Sequence, residues 1–125
     1  MDFKKVANYA LSNSLTDGKT QITTDELIEQ IKTLPNHQLD IIAFDLAESK
    51  DGAVFSILVF KQLPHFYYFG GKVLTNIVQS WISEMEYPNN REASKALESQ
   101  GGCPITLEKA VTKSGNEFVK VTILA

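Results

Sequence analysis

The sequence predicts an α+β fold, with an antiparallel sheet of four to five strands from two hairpins plus a short aromatic strand, packed on about four helices. Two turn sequences, Lys50-Asp51-Gly52 and Lys113-Ser114-Gly115-Asn116, are each flanked by β-rich segments that alternate with period two. Apolar stripes at helical spacing lie between these hairpins. Parallel pairing would require repeated strand–helix–strand crossovers, whereas hairpins separated by helices point to an antiparallel sheet.

Asp2 to Leu15 places Phe3, Val6, Ala7, Ala10, Leu11 and Ser14 at helical spacing, and Thr16-Asp17-Gly18-Lys19 then reads as a turn. Thr23 and Glu26 stand at the spacing of a capping box, with Ile22 placed to staple onto Leu27. Leu27, Ile28, Ile31 and Leu34 form the apolar face of that helix, and Pro35 ends it. Ile42, Phe44 and Leu46 alternate as a strand into the first turn, and Phe55, Ile57 and Val59 alternate out of it. The set Leu39, Ile42, Ala43, Leu46 and Ala47 also fits a helix, but the Asp-Gly turn and the β-rich return favour the hairpin.

Pro64-His65-Phe66-Tyr67-Tyr68-Phe69 reads as a short extended piece ending at Gly70-Gly71. A strongly amphipathic helix follows, with Val73, Leu74, Ile77, Val78, Trp81, Ile82 and Met85 on one stripe and Thr75 among the polar residues opposite. Tyr87-Pro88 breaks it. Asn89 with Glu92 caps a short helix through Leu97, closed by a left-handed Gly101. In the second hairpin Ile105, Leu107 and Val111 lead out, and Val119, Val121 and Ile123 return.

The chain has 125 residues, 12 basic and 15 acidic, for a net charge of −3, and 43% of its residues are apolar. That length suits one domain, 1–125, burying roughly two-thirds of its unfolded surface. A single cysteine excludes an intramolecular disulfide. The longest apolar run, Ala53 to Phe60, is too short for a helical membrane span. Met1 to Lys5 lacks the apolar stretch of a signal peptide, so a cytoplasmic protein with no membrane association is expected. Nucleic-acid binders usually carry a basic excess, which this chain lacks. Residues 39–87 hold six acids and three lysines, and only residues 88–125 are net positive.

The aromatic strand and the junction after it carry the candidate partner-binding residues His65, Phe66, Tyr67, Tyr68, Phe69, Gly70, Gly71 and Lys72. In an extended chain His65, Tyr67 and Phe69 face one way while Phe66 and Tyr68 face the other. Such a face serves as plain core, anchors a protein interface, or stacks bases. Phe69-Gly70-Gly71-Lys72 fits a tight strand-to-helix turn with both glycines at positive φ, or an anion contact at a helix N-terminus. It is not a Walker loop, because Val73 follows Lys72 and Phe66 stands where the first glycine belongs.

Other constellations are poorer. Cys103, His37 and His65 lack metal-ligand spacing, and a buried, inert thiol is expected. Glu48-Ser49-Lys50 with Asp40 or Asp45 is the only hint of a metal-dependent nuclease. Lys109, Lys113 and Lys120 on the last hairpin fit a phosphate-touching ribbon or the lysines that protect a sheet edge. No catalytic residue, cofactor or metal is assigned.

The stretches Tyr67 to Thr75 and Thr112 to Asn116 resemble small uncharacterised early-region proteins of phages and mobile elements of Gram-positive bacteria, a likeness covering residues 55–124. The resemblance implies a setting of replication, transfer or counter-defence, including acidic anti-CRISPR-like inhibitors, and transfers no functional residue. The expected function is a non-enzymatic acidic protein that modulates a nucleic-acid-processing partner with a basic surface. A single-stranded DNA-binding accessory protein is the alternative, and a metal-dependent nuclease a distant third.

Overall fold

The computed structural model describes residues 15–16, 18–84 and 86–124. A helix over Asp2 to Leu15 is an expectation that lies outside the described residues, except for Leu15, which sits in a turn. The described chain runs β1 (Thr20–Gln21), α1 (Thr24–Thr33), a 3-10 turn (Pro35–His37), β2 (Leu39–Glu48), β3 (Val54–Phe60), β4 (Leu63–Gly70), α2 (Lys72–Glu84), α3 (Asn90–Ser99), β5 (Cys103–Val111) and β6 (Glu117–Ile123). The fold is α+β. One sheet has the order β1-β4-β3-β2-β5-β6.

Two features of that sheet depart from expectation. It has six strands, and it is mixed, because β1 pairs parallel with β4 through Thr20↔Phe66 and Gln21↔Tyr67. A two-residue strand leaves no alternation to read, and only the bond from the Ile22 N–H to the Tyr67 carbonyl (2.9 Å) extends it. The remaining pairs are antiparallel, including both expected hairpins.

Helices α1 and α3 start at caps legible in the sequence. Thr23 caps α1 in a full capping box: its hydroxyl accepts from the Glu26 N–H, and the Glu26 carboxylate accepts from the Thr23 N–H at 3.1 Å. Ile22 and Leu27 are both buried, as the staple requires. Asn89 caps α3 by accepting from the Glu92 N–H at 2.9 Å. That helix closes on Gly101 at φ +92°, with Gly102 N–H reaching back to the Leu97 carbonyl at 2.9 Å, the six-to-one bond of a Schellman end.

Helix α2 differs in its facing. Leu74 and Val78 are buried, with Ile77, Trp81 and Ile82 packed against the core, but Val73 is 48% exposed and Thr75 is buried. Thr75 was expected on the polar face. It goes inside because the sheet offers it partners: its Oγ1 accepts from the Ser56 N–H (2.9 Å), while its hydrogen faces Ser56 Oγ (3.1 Å) and the Gly70 carbonyl (3.3 Å).

The core lies between the helices and one sheet face, where Leu27, Ile31, Leu39, Ile41, Phe44, Leu58, Phe60, Tyr68, Leu74, Val78, Ile105 and Leu107 cluster. A smaller cluster on the opposite face joins Ala47 and Ile57 to Leu15, Phe55, Tyr67 and Phe69. Strand β2 was expected to present Ile42, Phe44 and Leu46 together. A register shift between Ile41 and Ala43 instead puts Leu39, Ile41 and Phe44 in the core and leaves Ile42 half-buried.

Strand β2 pairs with β5 only through Leu39, Asp40 and Ile41. Beyond Ile41 helix α3 takes over that edge. Ser94 Oγ accepts from the Phe44 N–H (3.1 Å) and donates to the Phe44 carbonyl (3.2 Å), while Asn90 donates to the Asp45 carboxylate at 3.0 Å. A helix side chain thus replaces a strand backbone and satisfies groups that would otherwise be open.

The Glu26 carboxyl is held below its ordinary range by its hydrogen bonds from the Thr23 hydroxyl and N–H. A lowered folded pKa contributes stability above the unfolded value, and that contribution is lost as pH falls through the folded one. Thermal unfolding of wild type and Glu26→Ala therefore differs at neutral pH, and the gap closes as the pH drops below the usual carboxylate range.

Candidate docking groove at the end of the aromatic strand

The aromatic strand is divided by the sheet. Tyr68 points into the main core, 4% exposed, and its hydroxyl shares a 2.9 Å hydrogen bond with Thr24 Oγ1. Phe66, half-buried, packs on the same core. Tyr67 and Phe69 lie on the opposite face, ring centroids 5.4 Å apart, and Phe69 meets Phe55 edge-on at 5.2 Å. The alternation expected for Phe66 to Phe69 is present. His65 is exposed at a point where the β3–β4 register slips, between Leu58 and Phe60.

The two glycines after Phe69 have different roles, and neither has positive φ. Gly70 is buried because there is no room beside it: a Cβ would lie 2.2 Å from Ser56 Oγ and 2.9 Å from Leu74 Cβ. Close approach of β4, β3 and α2 requires glycine there. Gly71 is exposed with open space around it, and its carbonyl accepts from the Thr75 N–H at 2.9 Å, closing the first turn of α2. The expected strained turn is therefore a packing constraint at one residue.

At this corner of the sheet β3 begins, β4 ends and α2 begins. A shallow groove of about 310 Å³ lies there, lined by Val54, Phe55, Gly70, Gly71, Lys72, Thr75, Asn76 and Gln79. Val54 is 44% exposed, Val73 stands exposed on α2, and Phe55 and Phe69 are half-buried. The β2–β3 turn adds acid beside them: Glu48 is paired opposite Val54, and Asp51 follows. The Asp51 carboxyl is pulled down by the Ser49 hydroxyl and the Ala53 N–H, so it stays ionised. Lys72 supplies positive charge at the start of α2. Val54 and Val73 carry no chemical signature, and their exposure could not be read from a helical stripe or a strand alternation.

Of the eight candidate residues, the groove gathers Gly70, Gly71 and Lys72, with Phe69 beneath through Phe55. Tyr68 and Phe66 belong to the core, Tyr67 to the second face, and His65 stands apart. A larger cleft of about 1030 Å³ lies between α3 and the second sheet face, floored by Ala43 and Val59. Within its polar lining Ser94 binds Phe44, Asn90 binds Asp45 and Lys95 pairs with Glu92, while Arg91 and Glu98 also line it.

The remaining constellations are dispersed. Asp40 accepts from Gln38 (3.0 Å) and Gln62 (2.7 Å), and Asp45 from Asn90 and from the Leu46 N–H (2.8 Å). Among the described residues no group of three His, Cys, Asp or Glu could hold a metal ion. Cys103 is half-buried beside Asp40, and its thiol is pushed up by burial and then by that charge, which keeps it protonated and unreactive. The hairpin lysines are also spent or distant. Lys109 forms an ion pair with Asp25, and Lys120 lies 3.8 Å from Glu108. Four strand steps separate β6 from β4, about 19 Å at ordinary spacing, so these lysines do not join Lys72.

Filling the space beside Gly70 tests the packing reading. Gly70→Ala lowers stability by about 1–3 kcal/mol through overpacking, whereas Gly71→Ser stays within about 0.5 kcal/mol of wild type; urea unfolding of the two variants compares them.

Among the described residues no helix is long and apolar enough to cross a membrane. Comparison with known proteins finds no matching family model, no matching curated protein and no matching solved structure.

Proposed function

We propose that the chain is a non-enzymatic binding module that docks a protein partner with a basic surface through the groove at the end of β4. The observation that carries this reading is exposed Val54 in the groove over the half-buried Phe55–Phe69 contact, with Glu48 paired opposite it and exposed Val73 next in the chain to the groove-lining Lys72. Apolar anchors rimmed by charge are the usual anatomy of a protein interface. Glu48, paired opposite Val54, with Asp51 in the same turn, brings acid to this end of the sheet, which suits a basic partner and raises the encounter rate through complementary fields, while Lys72 is the charged residue of the groove's own lining.

Two further observations support it. Buried Ser56 and half-buried Ser94 are held by structural hydrogen bonds, Ser56 with Thr75 and Ser94 with the Phe44 backbone, and neither bond is to a general base. Aromatic stacking of bases would need rings beside a basic track, whereas the groove has Lys72 and the hairpin lysines lie across the sheet. A basic surface that normally holds nucleic acid is the natural counterpart. Modulation of a nucleic-acid-processing protein, in the counter-defence or replication setting implied by the resemblance to mobile-element early proteins, is the biological form of the proposal.

Affinity capture from host lysate tests it. The wild-type chain retains a basic, nucleic-acid-processing protein. Val54→Arg and Val73→Arg, which remove apolar contact and add like charge, reduce retention at least tenfold, about 1.4 kcal/mol. Val111→Arg on the distant hairpin leaves retention unchanged. Equal retention by all three variants, or tight oligonucleotide binding that falls steeply with salt, would sink the reading.

A further inference from the structure

The last strand presents a second surface, on another edge of the sheet. Strand β6 ends the strand order, so among the described residues its outer side pairs with nothing. Its polarity follows from the hairpin bonds. Leu124 N–H donates to the Pro104 carbonyl at 2.8 Å, and Thr112 N–H to the Asn116 carbonyl at 2.9 Å. In the register Ile105↔Ile123 to Val111↔Glu117, the even-numbered residues of β6 therefore turn their backbone groups toward β5. Glu117, Val119, Val121 and Ile123 turn theirs outward.

Those same residues share a side-chain face. Val119, Val121 and Ile123 sit opposite Lys109, Leu107 and Ile105, so they continue the apolar surface that Leu107 and Ile105 bury. Ile123 is 48% exposed, and Val111 and Phe118 on the same hairpin are also exposed. Among the described residues, half of the exposed large apolar side chains thus lie on this hairpin, beside a row of outward backbone groups.

We infer that this edge pairs with a second copy of the chain, β6 against β6 antiparallel, about a two-fold axis at Val121. Outward groups must meet outward groups, which restricts the register. An axis at Lys120 sets two lysines face to face and Ile123 against Glu117. An axis at Val119 carries Ile123 past the strand to Gly115. The axis at Val121 sets Val121 against its own copy and Val119 against Ile123 twice, and it places Lys120 opposite Thr122. Lys120 keeps its own Glu108 on the far side of the sheet. Like charges are thus separated, apolar residues are matched, and two six-stranded sheets become continuous. A hetero-partner adding a strand is the competing occupant, and the matching of Val119 with Ile123 and the separation of the two Lys120 side chains in this register favour the second copy.

Sedimentation of the full chain and one cross-link test this. Wild type shows a reversible monomer–dimer equilibrium, and Val121→Pro, which removes an outward donor that β5 does not use, weakens it at least tenfold. In a Cys103→Ser background, Val121→Cys closes a disulfide-linked dimer on mild oxidation, because directly opposed residues in this pairing have Cα atoms about 5.5 Å apart. Lys120→Cys in the same background does not. A wild-type chain that stays monomeric up to about 1 mM, the weak end of association, overturns the inference. So does a dimer in which Lys120→Cys cross-links and Val121→Cys does not. Neither result bears on the β4 groove, which lies four strands away.

Discussion

The Thr75 hydroxyl, buried between α2 and the start of β3, is the contact on which the rest of the structure depends. It satisfies the Ser56 N–H and lies against Ser56 Oγ and the Gly70 carbonyl. A buried backbone donor without a partner costs about 1–3 kcal/mol, so this one side chain fixes how α2 sits on the sheet. The closeness it demands is what excludes a Cβ at Gly70. Leu74 and Val78 then fall into the core, Lys72 lines the groove with Val54, and Val73, next to Lys72 in the chain, is left exposed. The groove is thus the outer face of a packing solution whose inner face is polar.

A second constraint shapes the other half of the molecule. Strand β2 changes partner at Ile41, from β5 to α3. Gly102 permits the crossing, since a Cβ there would meet the Ile41 carbonyl at 2.8 Å and its φ is +87°. The β5–β6 hairpin is therefore attached to the sheet by three residue pairs, helped by the ion pair of Lys109 with Asp25 on α1. That hairpin extends past the central strands, which leaves Val111 and Phe118 uncovered, whereas Ile123, level with Leu39 across β5, is exposed on the edge strand.

Local signals were legible in the sequence and long-range ones were not. The Thr23–Glu26 capping box, the Asn89 cap, the Gly101 closure and both hairpins follow from residue types at fixed spacing, each with its own mechanism. What escaped depends on a distant partner. Two residues at Thr20–Gln21 become a strand only because β4 lies alongside, and Ile42 leaves the core because β2 slips one residue against β3. Thr75 was read as a solvent residue because a helical stripe ranks side chains by polarity, whereas a buried donor on β3 selects the residue that can answer it. At the candidate site the junction residues Gly70, Gly71 and Lys72 were legible, but Val54, at the start of the preceding strand β3, was not.

The proposed docking site lies at a corner where three elements meet, with Val54 exposed in the groove and Glu48 of the β2–β3 hairpin paired opposite it. Photo-crosslinking reads this most directly. A benzophenone residue is introduced at Val73, exposed on α2 next to the groove-lining Lys72, or at Val111, on the far hairpin, and each protein is irradiated in host lysate. The account predicts one protein adduct, to a basic partner, from the Val73 position and none of that mass from Val111. An adduct of equal yield from both positions, or from Val111 alone, would contradict it.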